Sequence, residues 1–465
     1  MEKMLAWITT VNGAVNSFAW GPVMLVLLVG TGIYLSVRTR FLQVRKFGWI
    51  LKNTIGSLFS QKEKGKGSNL SPFQAVSTAL AGTVGTGNIA GVTGAIFVGG
   101  PGAVFWMWVS AFFGMCTKYA EIALAVRYRS TDANGVNLGG PMYYIENGLG
   151  KRWKPLAILF AALAGIASFG IGNIAQSSEI SGAMSSLLGV KPLVTGIVLA
   201  LLVAGVILGG AKRIGQVTSL MVPFMSLFYI LAGLAVIALR IADIPAALAS
   251  IVTSAFSFKA VGGGLFGYVI MQAMRQGFAR GVFSNEAGLG SAPIAHAASD
   301  VDEPCEQAMW GVFEVFIDTI IICTITALAV ILSGVLDTAG GLDAFASKGA
   351  AAAAAFNAIL PGQLGGIIIQ ISLLFFALST IIGWSLYGER CWGYLSGDNK
   401  KVILAYKIVY VLMCVVGAVG SGTLMWDIAD TLNGLMAIPN LIALLALSGV
   451  VAAETKRYFD KNDLQ

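Results

Sequence analysis

Glycine, threonine and asparagine are concentrated in one short run inside an apolar segment, 72–98, that is long enough to cross a membrane. The run reads Leu80-Ala81-Gly82-Thr83-Val84-Gly85-Thr86-Gly87-Asn88-Ile89-Ala90-Gly91. Backbone groups cannot stay unpaired in hydrocarbon, so such a break must be buried in protein or line a cavity. Unwinding would expose carbonyls for a hard cation such as sodium and a half-helix N-terminus for a carboxylate. Membrane helices broken at mid-depth hold the solute and ion of secondary transporters. The alternative is glycine-mediated helix packing.

A second polar face lies in the apolar segment 155–185. Phe169, Asn173 and Gln176 follow helical spacing and share one face of the predicted helix. A ring and two amides beside the small Gly172 suit a small polar solute. The alternative is that these side chains only bond neighbouring helices.

Adjacent hydroxyl groups occur at mid-depth in the segment 366–388. Ser379 and Thr380 would complete an oxygen cage if they lay opposite the broken helix. Each hydroxyl has a simpler option, a hydrogen bond to the carbonyl four residues earlier. Trp384, one turn further on, is either a lid over a solute or an ordinary core tryptophan.

Charged and amide residues crowd the segment 262–290. A charge inside a membrane helix indicates function by default, although Arg280 is expected near the cytoplasmic end, where it can snorkel. Acidic partners for these cations are sought among Glu121, Glu314 and Asp318. The crowded residues are Gln272, Arg275, Gln276, Gly277 and Arg280.

Composition excludes several classes of protein. The chain has 465 residues, of which 56% are hydrophobic and 11% charged, whereas a soluble domain has about 25% charged residues. No basic soluble domain is present to bind nucleic acid. His296 is the only histidine, the five cysteines have no ligand spacing, and no phosphate-binding loop or nucleophile elbow occurs. We expect an integral membrane protein that is not an enzyme.

Eleven segments are long and apolar enough to span a membrane. Connections on one predicted side carry 21 Lys and Arg residues against 5 on the other, a bias that places the N-terminus outside and the C-terminus in the cytoplasm of a multi-pass cell-membrane protein. The predicted spans are 18–37, 72–98, 102–126, 155–185, 192–209, 215–239, 262–283, 307–332, 366–388, 402–420 and 428–450.

The last ten spans divide into two groups of five. An odd number per half inverts one half relative to the other, which is typical of transporters built from inverted repeats. The predicted divisions are 1–71, an N-terminal span followed by a basic amphipathic segment (41–60) lying on the inner leaflet or serving as a connector; 72–240 and 241–452, the two repeats; and 453–465, a cytoplasmic tail. The six alanines at 350–355 predict a short helix.

Three motifs resemble those of the alanine or glycine:cation symporters, sodium-coupled amino-acid carriers of the LeuT-like superfamily. They are Gly85-Thr86-Gly87-Asn88-Ile89-Ala90-Gly91, Gly139-Gly140-Pro141-Met142-Tyr143-Tyr144-Ile145-Glu146 and Arg280-Gly281-Val282-Phe283-Ser284-Asn285-Glu286-Ala287-Gly288-Leu289-Gly290-Ser291-Ala292-Pro293. The resemblance implies an all-α fold of 11 transmembrane helices, with one extra helix before a five-plus-five core whose first and sixth helices are broken.

The resemblance also implies a site. Carbonyls of Ala81 and Val84 would join Ser379 and Thr380 in holding sodium. The substrate would lie against Thr83, Thr86, Gly87, Asn88, Gln176, the middle of 270–278 (including Gln272 and Gly277), Thr380 and Trp384.

We therefore expect a sodium-coupled symporter for alanine or glycine that works by alternating access, with lipid around it and no obligatory protein partner. The rival interpretations are a proton-coupled amino-acid transporter, a cation channel and a membrane-embedded enzyme. A channel needs a continuous polar pore, and an enzyme needs an acid, base or metal constellation that the sequence does not offer.

Overall fold

The computed structural model describes residues 2–58, 69–256, 266–420 and 422–462. This part of the chain is almost entirely helical. Its first half contains α1 (Glu2–Ala19), α2 (Pro22–Arg38), α3 (Leu42–Arg45), α4 (Phe47–Leu58), α5 (Pro72–Thr83), α6 (Ala90–Gly99), α7 (Gly102–Arg127), α8 (Pro141–Leu149), α9 (Lys154–Phe169), α10 (Ala175–Leu188), α11 (Pro192–Ile207) and α12 (Gly210–Ala238).

The second half contains α13 (Ile244–Ala255), α14 (Phe266–Asn285), α15 (Ala292–Ala297), α16 (Pro304–Val315), α17 (Thr324–Leu332), α18 (Val335–Thr338), α19 (Lys348–Asn357), α20 (Leu364–Ser396), α21 (Lys400–Val419), α22 (Gly422–Ala446) and α23 (Ser448–Lys461). The shorter elements are the hairpin strands β1 (Ser130–Thr131) and β2 (Asn137–Leu138), the 3₁₀ turns Thr86–Asn88, Lys151–Trp153, Ile241–Asp243 and Leu342–Ala344, and the π-helical turns Gly170–Ile174 and Phe316–Cys323.

Within the described residues, seven helical stretches are long and apolar enough to cross a membrane, and up to nine if each of two bent pairs forms one span. The protein is thus a multi-pass membrane protein. The count of eleven spans and the two inverted repeats stay predictions. The stretches are Trp7–Arg38, Gly102–Arg127, Lys151–Leu188, Gly210–Ala238, Pro304–Leu332, Leu364–Ser396 and Lys400–Val419, and the bent pairs are Pro72–Thr83 with Thr86–Gly99 and Asp430–Ala446 with Ser448–Lys461.

The predicted break in the first core helix is confirmed. Helix α5 begins with a capping box in which Ser71 and Gln74 exchange side-chain and backbone hydrogen bonds. It ends at Thr83, and the axis turns by 53° before α6 continues. The chain leaves the helix in extended geometry at Val84 and Gly85.

Two other helices change winding at mid-length. Between α9 and α10 the polar stretch 170–174 forms a π-helical turn, and a second π-helical turn at 316–323 separates α16 from α17. Such turns insert an extra residue and are frequent at functional sites. Both contain a buried polar side chain, Asn173 in the first and Asp318 in the second.

The core is organised around α5 and α7. Helix α7 packs between α14 and α16, while α5 packs against α12, α15 and α20. Glycine permits the closest of these contacts, because a Cβ on Gly383 of α20 would lie only 2.9 Å from the amide nitrogen of Gly82 in α5. The two helices therefore bring their backbones together at mid-length.

Basic connections meet at one end of the bundle. Arg127 pairs with Glu454 at 2.7 Å, and Arg457 pairs with Glu303 at 2.5 Å. In the basic segment 41–60, residues 42–45 and 47–58 are helical and 59–60 lie outside the described residues; its place on the inner leaflet stays a prediction. The alanines at 350–355 lie in α19, as predicted.

Candidate functional site

A small cavity lies between the unwound residues after α5 and the end of α14. Helix α10, the π-helical turn before it and α20 complete its walls. The space between its walls is about 230 Å³, and the centre of a water molecule has about 10 Å³ in which to move. Drug-sized pockets measure roughly 300–1,000 Å³, so this conformation encloses room only for something very small. The lining residues are Gly82, Thr83, Gly85, Gly87, Ile171, Gln176, Phe283, Glu286, Thr380 and Trp384.

The unwound segment after α5 replaces lost backbone bonds with a side chain. The amide of Gly85 donates to Asn88 Oδ1 at 2.9 Å instead of closing the next helical turn on Ala81. The Asn88 carbonyl in turn accepts from Thr326 Oγ1 at 2.7 Å. The break is thus held open by specific bonds, and carbonyls in the last turn of α5 are left without helical partners.

The second break lies later in the chain than predicted. Helix α14 runs without interruption to Asn285, and the irregular residues are 286–291, ahead of α15. Phe283 and Glu286 reach the cavity, whereas Gln272 and Gly277 do not figure among its described lining residues. A Cβ on Gly277 would lie 2.6 Å from Trp106 Cβ, so Gly277 serves the packing of α14 on α7.

Buried charges hold the irregular residues 286–291. Glu121 Oε1 accepts hydrogen bonds from the amides of Gly288 and Gly290, each at 3.0 Å. Lys118 Nζ donates to the Asn285 carbonyl at 2.8 Å and lies 3.5 Å from Glu314. These side chains compensate the backbone groups that unwinding exposes.

The side chains predicted to share one face of α9 and α10 make two different kinds of contact. Gln176 lines the cavity and accepts a hydrogen bond from Thr86 Oγ1 at 3.0 Å, which ties it to the first broken helix. Asn173 instead donates to the Tyr410 carbonyl at 2.6 Å, and the ring of Phe169 packs at a tilt against that of Tyr406. The structure therefore brings Gln176 to the cavity and turns Asn173 and Phe169 towards α21.

The side chain of Asn88, like that of Asn173, points away from the cavity. Its Nδ2 donates to Asp318 Oδ1 at 2.6 Å, and Ser284 Oγ donates to the same carboxylate at 3.0 Å. Asp318 thus joins residues from both broken helices to the π-helical turn at 316–323. Its signal in the sequence was an isolated carboxylate within an apolar segment.

Helix α20 presents Thr380 and Trp384 to the cavity. Thr380 Oγ1 donates to the Phe376 carbonyl at 2.9 Å, and a Cβ on Gly85 would lie 2.5 Å from this hydroxyl oxygen. Trp384 is fully buried, and Gly172 gives it room, since a Cβ there would lie 2.5 Å from Trp384 Cβ. Thr380 therefore touches the unwound backbone directly.

The residues expected to hold sodium lie on these two helices. Ser379 is buried and donates to the Phe376 carbonyl at 2.8 Å, which leaves its oxygen lone pairs available. Ala81 precedes the break, where helical bonding stops. Carbonyl and hydroxyl oxygens form a donor set that fits a hard monovalent cation.

Phe283 and Glu286 are among the cavity residues that the site prediction from sequence missed. Both lie in the glycine-rich motif that marks the family resemblance, but no periodicity singles them out. Glu286 is 2% exposed and takes a left-handed backbone conformation, with φ of 56°. Only the position of the break shows that these side chains point at the site.

Arg280 occupies a different environment from the one predicted. It forms a double hydrogen bond with Asp430 of α22, at 3.1 and 3.4 Å, instead of pairing with Glu121, Glu314 or Asp318. Arg280 lies five residues before the end of α14, so this pair stands just before the break and on the side away from α15.

A larger pocket lies between α10, α11 and α20, where the space between the walls is about 890 Å³. Its walls are aliphatic and aromatic apart from Thr195, so it offers no groups to bind a zwitterion.

A bent membrane span, α5 with α6, and the irregular end of α14 meet at this cavity, an arrangement of the LeuT fold. The solved structure of MhsT in complex with L-phenylalanine shares this fold, with a TM-score of 0.57 and 14% identity, covering 84% of this chain and 99% of that one. The model of the sodium:alanine symporter family matches residues 5–465, and the chain belongs to that family.

Two relatives have names that give different amino-acid substrates. The sodium/alanine symporter AgcS of Methanococcus maripaludis is 51% identical over 454 residues, which cover 97% of each chain. The probable sodium/glutamine symporter GlnT of Bacillus subtilis is 39% identical over 462 residues, covering 98% of this chain and 91% of the relative.

Proposed function

We propose that this protein is a sodium-coupled symporter that imports a small neutral amino acid, alanine or glycine, by alternating access. The observation that carries the proposal is the small cavity between both broken helices, Gln176 and Thr380. Its volume favours a substrate without a long side chain. The name of the Methanococcus maripaludis relative supports alanine, and that of the Bacillus subtilis relative makes glutamine the competitor to test.

Helix ends around the cavity match the two charges of an amino acid. The 3₁₀ turn at Thr86–Asn88 begins at the cavity, and its first amides attract a carboxylate. Helices α5 and α14 end there, and their carbonyl ends attract cations. A zwitterion is therefore favoured over an anion or a cation.

In this proposal sodium binds between the last turn of α5 and α20. Carbonyls of Ala81 and Val84 and the hydroxyls of Ser379 and Thr380 provide the ligands. Sodium would fix the unwound backbone of 84–87 in the shape that binds substrate. Linkage then requires the substrate to raise sodium affinity by the same factor.

Transport also requires movement. The two predicted repeats, 72–240 and 241–452, would rock against each other around the cavity, with the N-terminus outside and the C-terminus in the cytoplasm. The narrow cavity supports a closed state between the two open ones.

Uptake into liposomes by the purified protein tests the proposal. We expect saturable alanine uptake driven by an inward sodium gradient. Glycine should compete, whereas leucine, arginine and glutamate compete poorly, because the cavity lacks room or a partner for their side chains. Uptake driven by a proton gradient without sodium would establish proton coupling, non-saturable cation flux would establish a channel, and stronger competition by glutamine would change the substrate.

Paired variants on α20 test the sodium ligands. Replacing Ser379 or Thr380 with alanine should raise the sodium concentration for half-maximal uptake, at a cost on the order of 1–3 kcal/mol for one ligand. Ser372→Ala is the matched control, because its hydroxyl bonds the Ile368 carbonyl in the same manner two turns away. Equal sodium dependence in all three variants would remove Ser379 and Thr380 from the ion site.

A further inference from the structure

Glu286 stands at a position where a helix normally ends in glycine. It directly follows Asn285, the last residue of α14, its amide donates to the Val282 carbonyl at 2.8 Å, and its φ is 56°. Glycine is preferred in this left-handed conformation because a Cβ there meets the backbone. Strain of this kind persists at functional sites when the side chain is needed.

The side chain at this position is a carboxylate inside the membrane. Glu286 lines the cavity and is 2% exposed. Ser291 Oγ donates to its Oε2 at 2.7 Å and fixes its direction. A buried carboxylate is costly unless a cation or several donors compensate it.

The charge of Lys118 acts on Glu286, and Trp384 hydrogen-bonds it, but the nitrogens of the nearby cations bond other groups. Lys118 donates to the Asn285 carbonyl and faces Glu314, while His296 bonds Glu314 at 2.8 Å and Gln307. Across the described ranges, no Lys, Arg or His nitrogen forms an ion pair with Glu286. The second acidic neighbour of the break, Glu121, is taken by the amides of Gly288 and Gly290.

Glu286 thus places negative charge on one wall of the cavity, as the one acidic residue among its described lining residues. The carbonyl end of α14 adds to it, whereas the amides of the Thr86–Asn88 turn lie on the opposite broken helix. This polarity orients a zwitterion, with its carboxylate at Thr86–Gly87 and its cationic group at Glu286.

We propose that Glu286 binds the α-ammonium group of the substrate and makes the site selective for amino acids over the corresponding hydroxy acids. This inference rests on the proposed function, because it concerns how the same site recognises its substrate. Lactate is the probe that distinguishes the two classes, since it replaces the ammonium of alanine with a hydroxyl and keeps the carboxylate.

The test measures binding of alanine and of lactate to purified protein by thermal stabilisation in sodium. We expect the wild type to prefer alanine strongly. In Glu286→Gln, alanine affinity should fall roughly 10- to 100-fold, the value of a charged hydrogen bond, while lactate binds equally well or better. The preference for alanine would therefore collapse. An unchanged alanine-to-lactate ratio would overturn the proposal.

Glu286→Gly is the second variant, because glycine relieves the left-handed strain. We expect it to melt at a higher temperature than Glu286→Gln and still to lack the preference for alanine. Stabilisation by sodium alone should survive in both variants; its loss would reassign Glu286 to the ion site and overturn the ammonium role. If the wild type itself shows no sodium-dependent alanine binding, the proposed function fails, whereas normal binding with an unchanged ratio in the variants defeats only the role of Glu286.

Discussion

Arg280 and Asp430 form an ion pair with two hydrogen bonds beside a residue of the cavity wall. Their contacts are 3.1 and 3.4 Å, and their side chains are 17% and 12% exposed. The guanidinium carbon also lies 5.3 Å from the centre of the Phe283 ring, and Phe283 is part of the cavity wall. The Phe283 ring thus connects the cavity wall with the ion pair.

Breaking this pair should favour an open state of the cavity. We expect Asp430→Asn to shift the closed-to-open ratio by about 1–2 kcal/mol, a factor of roughly 5–30, because a partly buried charged hydrogen bond is lost. The measurement is the labelling rate of a cysteine introduced at Thr86, with the reagent added from one side of the membrane. The Arg280→Gln, Asp430→Asn double variant should add little to either single change. Additive effects would show that the two residues act separately.

Gly85 is required by the approach of Thr380. A Cβ at this position would lie 2.5 Å from Thr380 Oγ1, so Gly85→Ala should displace the unwound backbone and abolish alanine binding. Gly30→Ala in α2 is the control, since a Cβ there meets open space. Binding is measured by ligand-induced thermal stabilisation, with size-exclusion profiles to confirm folding. A full alanine-induced shift in Gly85→Ala would exclude the close contact from the site.

Asn88 should contribute to stability and to binding together. Asn88→Ala would leave the Gly85 amide and the Asp318 carboxylate short of partners, at a cost of about 2–4 kcal/mol, and would release the unwound segment. We expect a lower melting temperature and weaker alanine binding.

Asn173→Ala is the comparison for Asn88→Ala. Asn173 is equally buried but bonds the Tyr410 carbonyl and Ser177, so its loss should lower the melting temperature and leave alanine affinity unchanged. Reduced affinity in Asn173→Ala would restore this residue to the substrate site.

Glu146 lies in α8, outside the candidate membrane spans, and is bonded to Tyr394 near the end of α20. A hydrogen bond from Tyr394, assisted by Lys154 at 3.0 Å, lowers the pKa of this carboxyl. Its contribution is therefore present above the unfolded pKa of about 4.3 and is lost as pH falls through the folded pKa. We expect Glu146→Gln to be less stable at pH 7, by about 1 kcal/mol, and the difference from wild type to vanish in acid. Tyr394→Phe should reproduce most of the loss, and a difference that persists in acid would contradict the assignment.

Local patterns in the chain were sufficient to predict several features. The run around Gly85 predicted the first broken helix because glycines and polar residues cannot remain in an unbroken lipid-facing helix. Apolar length predicted a multi-pass membrane protein, and the polar runs and helical spacing that marked Thr83, Gln176, Thr380 and Trp384 selected residues that the structure brings to one cavity. These signals depend on residue type and short-range periodicity, which a sequence displays directly.

Other features depended on long-range packing. The second break falls at 286–291 and not near Gly277, because Glu121 and Lys118 of another helix compensate the exposed backbone there. The orientation of Asn173 towards α21, of Asn88 towards Asp318 and of Arg280 towards Asp430 is decided by partners between about 150 and 240 positions away. A one-dimensional pattern shows that a polar side chain must find a partner in the membrane, but only the tertiary structure determines which one.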